Sequence, residues 1–457
     1  MAEQRIPVSS AEILSQRTHI VPGQLAITEH LFRVPLDYSN PSSGEIQLFA
    51  RSARPARNAD PSLPWVLWLT GGPGQSCMSP EDYPFTSIFL ERGYQLLALD
   101  HRGTGRSTPV CASTLAQQGD AKTQAQWLSS FRADSIVRDC EALRYALDPE
   151  GKPWTLLAHS FGGYVAVTYL SFYPQGVCEA FLTGGLLPLV DGPDEVGRAL
   201  CKVVQRRNQA YYDKYPEDHE RVWRVLKHLV REEVRTPDSG TLSANRFLFL
   251  GMDFGMHGKF DAIHDLVLRA ALDLDTFGYL TRPTLGLIAQ ATDLDEQPLF
   301  FLLYEAMYCN GTASNWSYAR LMSEFPSFSS LEDLNALANT TAPPIEPINF
   351  FGEMTFPWML DDYVDLAKKR DVAQLLAQHS EWPPLFDTEQ LAMNEVPVWA
   401  AAFNDDMYVS YEFSLKTAAA IKKCKLFTTN IWYHNAINGK CKELLDQLFA
   451  LRDDAID

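Results

Sequence analysis

Apolar residues in this chain gather in short unbroken runs, each closed by a turn rich in Gly or Pro. The runs are WVLWL (65–69), YQLLALD (94–100), WTLLA (154–158) and EAFLT (179–183). Between the second and third lies SIVRDCEALRYAL (135–147), where Ile136, Cys140, Leu143 and Leu147 recur at helical spacing. Asp134 is placed to cap that helix. Strands that are apolar throughout and alternate with helices predict a parallel sheet covered on both faces. Residues 20–58 read instead as paired strands, with a turn at Asn40–Gly44.

The pattern changes after Leu187. Residues 189–390 are helical in pattern, aromatic and rich in Asp and Glu, and strand-like runs return at PVWAAAFN (397–404) and KLFTTNIWY (425–433). The simplest architecture is a sheet domain made from both ends of the chain, residues 1–188 and 391–457, with a helical insertion between. A length of 457 residues fits this division, since single domains typically run to about 250.

Composition narrows the function classes. A formal net charge of -18 argues against nucleic acid, because phosphate binding needs a surplus of Lys and Arg. The eight cysteines form no CxxC pair and no Cys/His cluster with zinc spacing. They are expected as free thiols, and no metal or cofactor is expected. The N-terminus is polar, without the apolar segment of a signal peptide. No run of about 18 apolar residues suggests a membrane span. A cytoplasmic protein is the expectation, and the sequons at Asn310, Asn315 and Asn339 then read as chance matches.

Candidate chemistry centres on AHSFGG (158–163), between a predicted strand and a predicted helix. A Ser on such a turn is held above the end of the sheet with its hydroxyl exposed, provided small residues flank it two positions away. Ala158 and Gly162 supply these. WLTGGPG (68–74) follows an earlier strand, and its glycines let backbone N–H groups approach a developing oxyanion. Gly72 and Phe161, the residue after Ser160, are the expected donors. DHRGTGRSTP (100–109) lacks the phosphate-loop arrangement, so Asp100 and Arg102 are read as braces. In such a fold an acid and a His follow in chain order after the last strands. Asp405-Asp406 and His434 occupy those places. Asp406 is preferred from its alignment with acid loops of the form Tyr-Asp-Met, with Asp405 as the alternative. His159 is expected to point away from Ser160. Together these features predict an α/β-hydrolase fold with a mostly parallel central sheet and a large helical cap.

With these residues assembled, the chain resembles the prolyl aminopeptidases (proline iminopeptidases). The matching stretches are TEHLFRVPLDY, GGPG, LLALDHRGTGRSTP, the Ser160 turn, LYEAMYCNGTASNWSYAR, FFGEMTFPWM, WPPLFD, DDMYVS and the His434 segment. The resemblance implies release of an N-terminal proline from a small peptide by a Ser-Asp-His triad without a metal. It also implies a helical cap whose acidic residues hold the substrate's free amine. Glu305 and Glu353 lie in the matched cap motifs, and Tyr304, Tyr308, Trp316, Phe351 and Trp358 are candidates to wall a slot for the pyrrolidine ring. Thr70 stands where the family usually has His or Gln, and Ala158, His159 and Phe161 stand where Gly and Trp are common around the Ser. An esterase or amidase with the same triad is the alternative, and a non-catalytic binding protein on this scaffold is a third.

Overall fold

Residues 5–21, 25–56 and 62–453 are described by the computed structural model. Nine strands form one sheet: β1 (Glu12–Val21), β2 (Leu25–Pro35), β3 (Glu45–Pro55), β4 (Trp65–Leu69), β5 (Gln95–Leu99), β6 (Trp154–His159), β7 (Val177–Thr183), β8 (Val398–Phe403) and β9 (Cys424–Thr429). Their order is β1-β2-β3-β5-β4-β6-β7-β8-β9. From β5 to β9 every neighbouring pair is parallel. β1, β2 and β3 form an antiparallel extension that joins through β5.

The apolar runs become strands because both faces of the sheet are covered. Leu67, Leu69, Leu97, Leu99, Leu156 and Ala158 face one packing layer. Val66, Trp68, Leu96, Ala98 and Leu157 face the other, as side-chain alternation along a strand requires. Helices Ala133–Leu147 and Phe161–Phe172 cover the first face, and helices Phe85–Glu91 and Cys441–Asp453 the second.

Two expectations are corrected. β1 precedes the expected pair of strands, and its mostly exposed residues carry no apolar alternation to announce it. The helix over 135–147 begins at Ala133 with Arg132 at its N-cap, and Asp134 instead accepts a hydrogen bond from Arg138 at 2.9 Å. Of the 20–58 stretch, residues 22–24 and 57–58 lie outside the described residues, as do the first four of the polar N-terminus.

Between β7 and β8 the chain is helical, led by Asp194–Lys214, Asp218–Arg231, Lys259–Phe277 and Arg282–Ala291. Its β structure is limited to an isolated bridge between Arg235 and Thr241. Its apolar side chains join the layer on the first face of the sheet. Charged contacts tie it down as well, since buried Arg132 donates to the carbonyls of Cys309 (2.9 Å) and Pro383 (2.8 Å). Among the described residues no helix is long and apolar enough to cross a membrane.

The loops that follow β4 and β5 are braced by buried polar groups. Asp100 accepts from the backbone N–H of Cys77 (2.6 Å) and of Arg106 (3.0 Å), linking the two loops. Arg102 is wholly buried and grips Asp139 through Nε (2.7 Å) and Nη2 (2.6 Å). It also donates to the carbonyls of Leu36 and Ser130, each at 2.7 Å. Tyr38 donates to the same Asp139 at 2.9 Å. A buried guanidinium left without its carboxylate is costly, so Asp139→Ala is expected to destabilise the fold by about 3–5 kcal/mol. The urea unfolding midpoint reads this out, and an unchanged midpoint would refute it.

Candidate active site

Ser160 stands between β6 and the helix Phe161–Phe172 with φ 54° and ψ -127°. A residue with a side chain rarely adopts this conformation, and close packing on both sides enforces it. A Cβ added at Gly162 would lie 2.0 Å from the carbonyl oxygen of Leu69, and one at Gly163 would lie 2.2 Å from that of Gly185. The helix therefore starts directly against the ends of β4 and β7. Ser160 N–H donates to Thr183 O at 3.2 Å, and Gly163 N–H closes the turn onto Ser160 O at 2.8 Å. Ala158 is fully buried and in register with Leu69.

The glycine loop after β4 lies beside this turn. The glycine that abuts Ser160 is Gly71, whose added Cβ would meet Ser160 Cβ at 3.3 Å and Oγ at 3.7 Å. Gly72 has φ +124°, and an added Cβ there would strike the backbone N of Gly74 at 2.7 Å. Its lack of a side chain thus serves the tight turn itself. Phe161 opens a 12-residue helix, so its N–H has no intrahelical acceptor and stands at the positive end of the helix dipole.

Asp406 and His434 come from the loops after β8 and β9. Asp406 Oδ2 accepts from His434 Nδ1 at 2.8 Å. Its other oxygen accepts from the backbone N–H of Tyr408 (2.8 Å) and Val409 (2.9 Å), which fixes the carboxylate. Asp405 turns outward and lies 4.0 Å from Arg206, so Asp406 is the carboxylate that reaches the imidazole. Burial works against a charged His434, but the charge and hydrogen bond of Asp406, with the charge of Glu353, hold it above the usual imidazole range. Ser160 Oγ forms no hydrogen bond to His434 among the described residues. Catalytic contacts of this kind often close only around a substrate.

His159 lies beside His434. Its ring packs 4.8 Å from that of His434, centroid to centroid, with Nδ1 2.9 Å from Thr183 O. Burial first, then the neighbouring His434, pushes His159 down to about 3, so it stays neutral. Two features escape the sequence reading. Gly184 has φ +53°, and a Cβ there would meet His434 Nδ1 at 3.2 Å and Asp406 Oδ2 at 3.4 Å. The bare position lets the pair lie close against the end of β7. The Tyr408 ring lies 4.6 Å from the His434 ring, centroid to centroid, tilted by 40°. The GGLL run at 184–187, directly after β7, is the sequence signal by which the first could have been found.

The two carboxylates from the helical segment differ. Both oxygens of buried Glu305 are occupied by backbone donors, Ser317 N–H at 3.0 Å and Tyr318 N–H at 3.1 Å. Burial pushes Glu305 up to about 7, opposed by those donors. Glu353 forms no ion pair among the described residues. Burial pushes it up to about 7 also, with His434 and Tyr304 opposing and Asp406 reinforcing the rise. Glu353 thus shares an electrostatic environment with the Asp406–His434 pair. Tyr304 donates to its carbonyl at 2.8 Å, and Tyr308 lies 3.3 Å from Tyr164, hydroxyl to hydroxyl. Phe351 and Trp358 pack with Phe356, and Trp316 packs on Phe301 and hydrogen-bonds Gln374.

Residues 64–253 match the α/β-hydrolase fold family. Proline iminopeptidase aneH of Aspergillus aculeatus is 43% identical over 455 residues, covering 98% of this chain and 99% of that protein. The proline iminopeptidase of Aeromonas sobria is 36% identical over 443 residues, covering 96% and 100% respectively. Among solved structures, the proline iminopeptidase of Mycobacterium smegmatis aligns at 12% identity and a TM-score of 0.40, covering 96% of this chain and 100% of its own. Two relatives this similar from end to end place the chain in the proline iminopeptidase family of α/β-hydrolase-fold enzymes.

Proposed function

We propose that this enzyme releases an N-terminal proline from short peptides through an acyl-enzyme on Ser160. The observation that carries the reading is the Asp406–His434 hydrogen bond of 2.8 Å, set beside an unpaired carboxylate, Glu353, on the segment over the site. The first supplies a base, and the second supplies what a protonated N-terminal amine requires once it leaves water.

In the first half-reaction His434 takes the Ser160 hydroxyl proton as Oγ attacks the carbonyl carbon of the N-terminal residue. The carbonyl oxygen becomes an oxyanion, and the N–H groups of Phe161 and Gly72 receive it. Collapse breaks the C–N bond, and His434 passes its proton to the departing amine of the shortened peptide. The second half-reaction repeats these steps with water, which His434 deprotonates. Water adds to the ester, Ser160 regains its proton, and the free amino acid leaves. Asp406 holds the imidazole in the tautomer that presents Nε2 and stabilises the imidazolium.

Glu353 takes the substrate amine in this reading. Glu305 is the weaker candidate because Ser317 and Tyr318 already occupy both of its oxygens. Residues 189–390 serve as a cap that closes over the bound peptide. A cytoplasmic location belongs to the same proposal, supported by eight cysteines that all stand as free thiols. An esterase or amidase using the same groups is the competing reading, and Glu353 counts against it, since an acyl ester brings no cation.

Ser160→Ala is expected to abolish turnover of proline naphthylamide while the circular dichroism spectrum and Tm stay as in the parent protein. Residual turnover within tenfold of the parent, roughly 1.4 kcal/mol of barrier, would remove Ser160 as nucleophile. Glu353→Gln is expected to raise KM for proline amides at least about tenfold, the scale of a lost charge-assisted hydrogen bond, and to leave short acyl esters within about twofold. Equal losses on both substrates would reject the amine role.

The pH profile gives a third test. Activity needs neutral His434, so kcat/KM rises with pH through the imidazole pKa, which Asp406 and Glu353 hold above its usual value. Removing the Glu353 charge lowers that pKa. The acid limb measured with an acyl ester is expected to move to lower pH in Glu353→Gln. A limb that stays in place would mean the two groups are not electrostatically coupled.

A further inference from the structure

The loop carrying His434 is gripped by one short stretch of the helical segment. The ring Nε2 of His257 accepts the backbone N–H of Tyr433 at 3.1 Å. The backbone N–H of His257 donates to Asn435 Oδ1 at 3.0 Å. One residue thus holds both chain neighbours of His434. The rings of His257 and Tyr433 meet edge to face with centroids 4.8 Å apart.

The same stretch holds the loop of Asp406. Tyr408 donates its hydroxyl proton to Met252 O at 2.6 Å. A Cβ added at Gly255 would lie 2.5 Å from the Tyr408 ring and 3.0 Å from Met407 Cβ. Arg207 supports the far side: its guanidinium lies 4.4 Å from the Phe260 ring centroid and 4.5 Å from that of Tyr433. It donates to Phe254 O at 3.1 Å and to the Tyr433 hydroxyl at 3.3 Å.

We propose that Met252–His257 is a clamp that sets the distance between the loops of Asp406 and His434, with His257 as its positioning residue. The inference rests on the base role given to His434 under the proposed function. Nε2 accepts a hydrogen bond, so neutral His257 carries its proton on Nδ1. Burial, then the charges of Lys440 and Arg207, holds its ring below the usual imidazole range, which keeps that lone pair available. The Asp406–His434 bond joins two loops that follow different strands and lie 28 residues apart in the chain. Because the clamp contacts both, a shift of Met252–His257 moves base and acid together. The segment that covers the substrate thereby sets the geometry of the base.

The test compares His257→Ala with His257→Gln in the full chain, since Gln keeps a carbonyl acceptor at a similar reach. The readouts are the rate of labelling by a fluorophosphonate probe, kcat and KM on proline naphthylamide, and Tm. His257→Ala is expected to slow labelling and lower kcat by roughly 10- to 100-fold, the scale of a small misplacement of a catalytic group, with KM within about twofold. His257→Gln is expected to recover to within about threefold of the parent protein. A His257→Ala protein that labels at the parent rate would overturn the clamp, and so would equal losses in the two variants. Should His257→Ala fail to fold, hydrogen exchange in the parent protein decides instead. The Tyr433 amide is expected to be protected, and unprotected exchange there would overturn the proposal. Labelling requires no peptide, so a parent protein that labels but does not cleave proline amides would reject the substrate while the clamp is still judged.

Discussion

The carbonyl oxygen of Leu69 leaves no room for a side chain at position 162, since an added Cβ would sit 2.0 Å away. That contact lets the helix after Ser160 begin hard against the end of β4, and the same approach forces Ser160 into φ 54°. Strain of this kind costs about 1–3 kcal/mol. It persists because Gly163 against Gly185, Ser160 N–H on Thr183 and the parallel register of β4, β6 and β7 all depend on the same approach. Everything else at the site is placed relative to this turn. The glycine loop leans on Ser160 through Gly71, and Gly74 carries the loop on to the backbone of Phe300 in the helical segment, 3.1 Å from where its Cβ would be. A bare position at 184 then admits Asp406 and His434 from the other side.

How much of this the sequence discloses follows from where each feature gets its stability. β4 to β8 are legible because strands covered on both faces must be apolar along most of their length. β1 is illegible for the opposite reason: as an exposed edge it is selected for polarity and is specified by its pairing with β2. The Ser160 turn is legible because its steric demand falls on residues two positions away. Asp405 and Asp406 are harder to separate, because adjacent residues differ only in which way the loop turns them. Backbone donors at Tyr408 and Val409 turn Asp406 inward. Glu305 and Glu353 are equivalent as letters, and what separates them is a backbone turn 12 residues on that fills both oxygens of the first. His159 shows the limit of a local rule. Thr183 on the neighbouring strand holds its ring, which packs on that of His434, a partner 275 residues away that no local rule discloses.

Electrostatics at the site run toward accepting a cation. Asp406 and Glu353 both bear on His434, and only the first is hydrogen-bonded to it. Burial penalises Glu353 as an anion, and the nearby Asp406 adds to the penalty. A protonated amine placed beside it relieves both costs at once, since a paired charge tolerates low dielectric far better than a lone one. Four buried tyrosines, Tyr164, Tyr304, Tyr308 and Tyr408, feel the Glu353 charge and are held in the neutral phenol form, chiefly by burial. Tyr304 and Tyr408 donate their hydroxyl protons to the carbonyls of Glu353 and Met252, and the hydroxyls of Tyr164 and Tyr308 lie 3.3 Å apart.

The point at which the helical segment enters the chain has a mechanical consequence. It leaves after β7 and returns before β8, so the strands that carry Asp406 and His434 are laid down only after the whole insertion. Neither loop is braced as the loops of β4 and β5 are, where Asp100 links one to the other and Arg102 anchors the second to Asp139. Part of their support comes from the insertion, through Met252, Gly255 and His257. The loops after β4 and β5 are thus tied to each other and to Asp139, while the loops of Asp406 and His434 are also held from the insertion. The Ser160 turn belongs to the sheet, and the Asp406–His434 pair belongs as much to the helical segment. Substitutions that loosen that segment should therefore disturb the Asp406–His434 pair before they disturb the strained turn, because the contacts that hold Ser160 come from the sheet, its helix and the turn after β7.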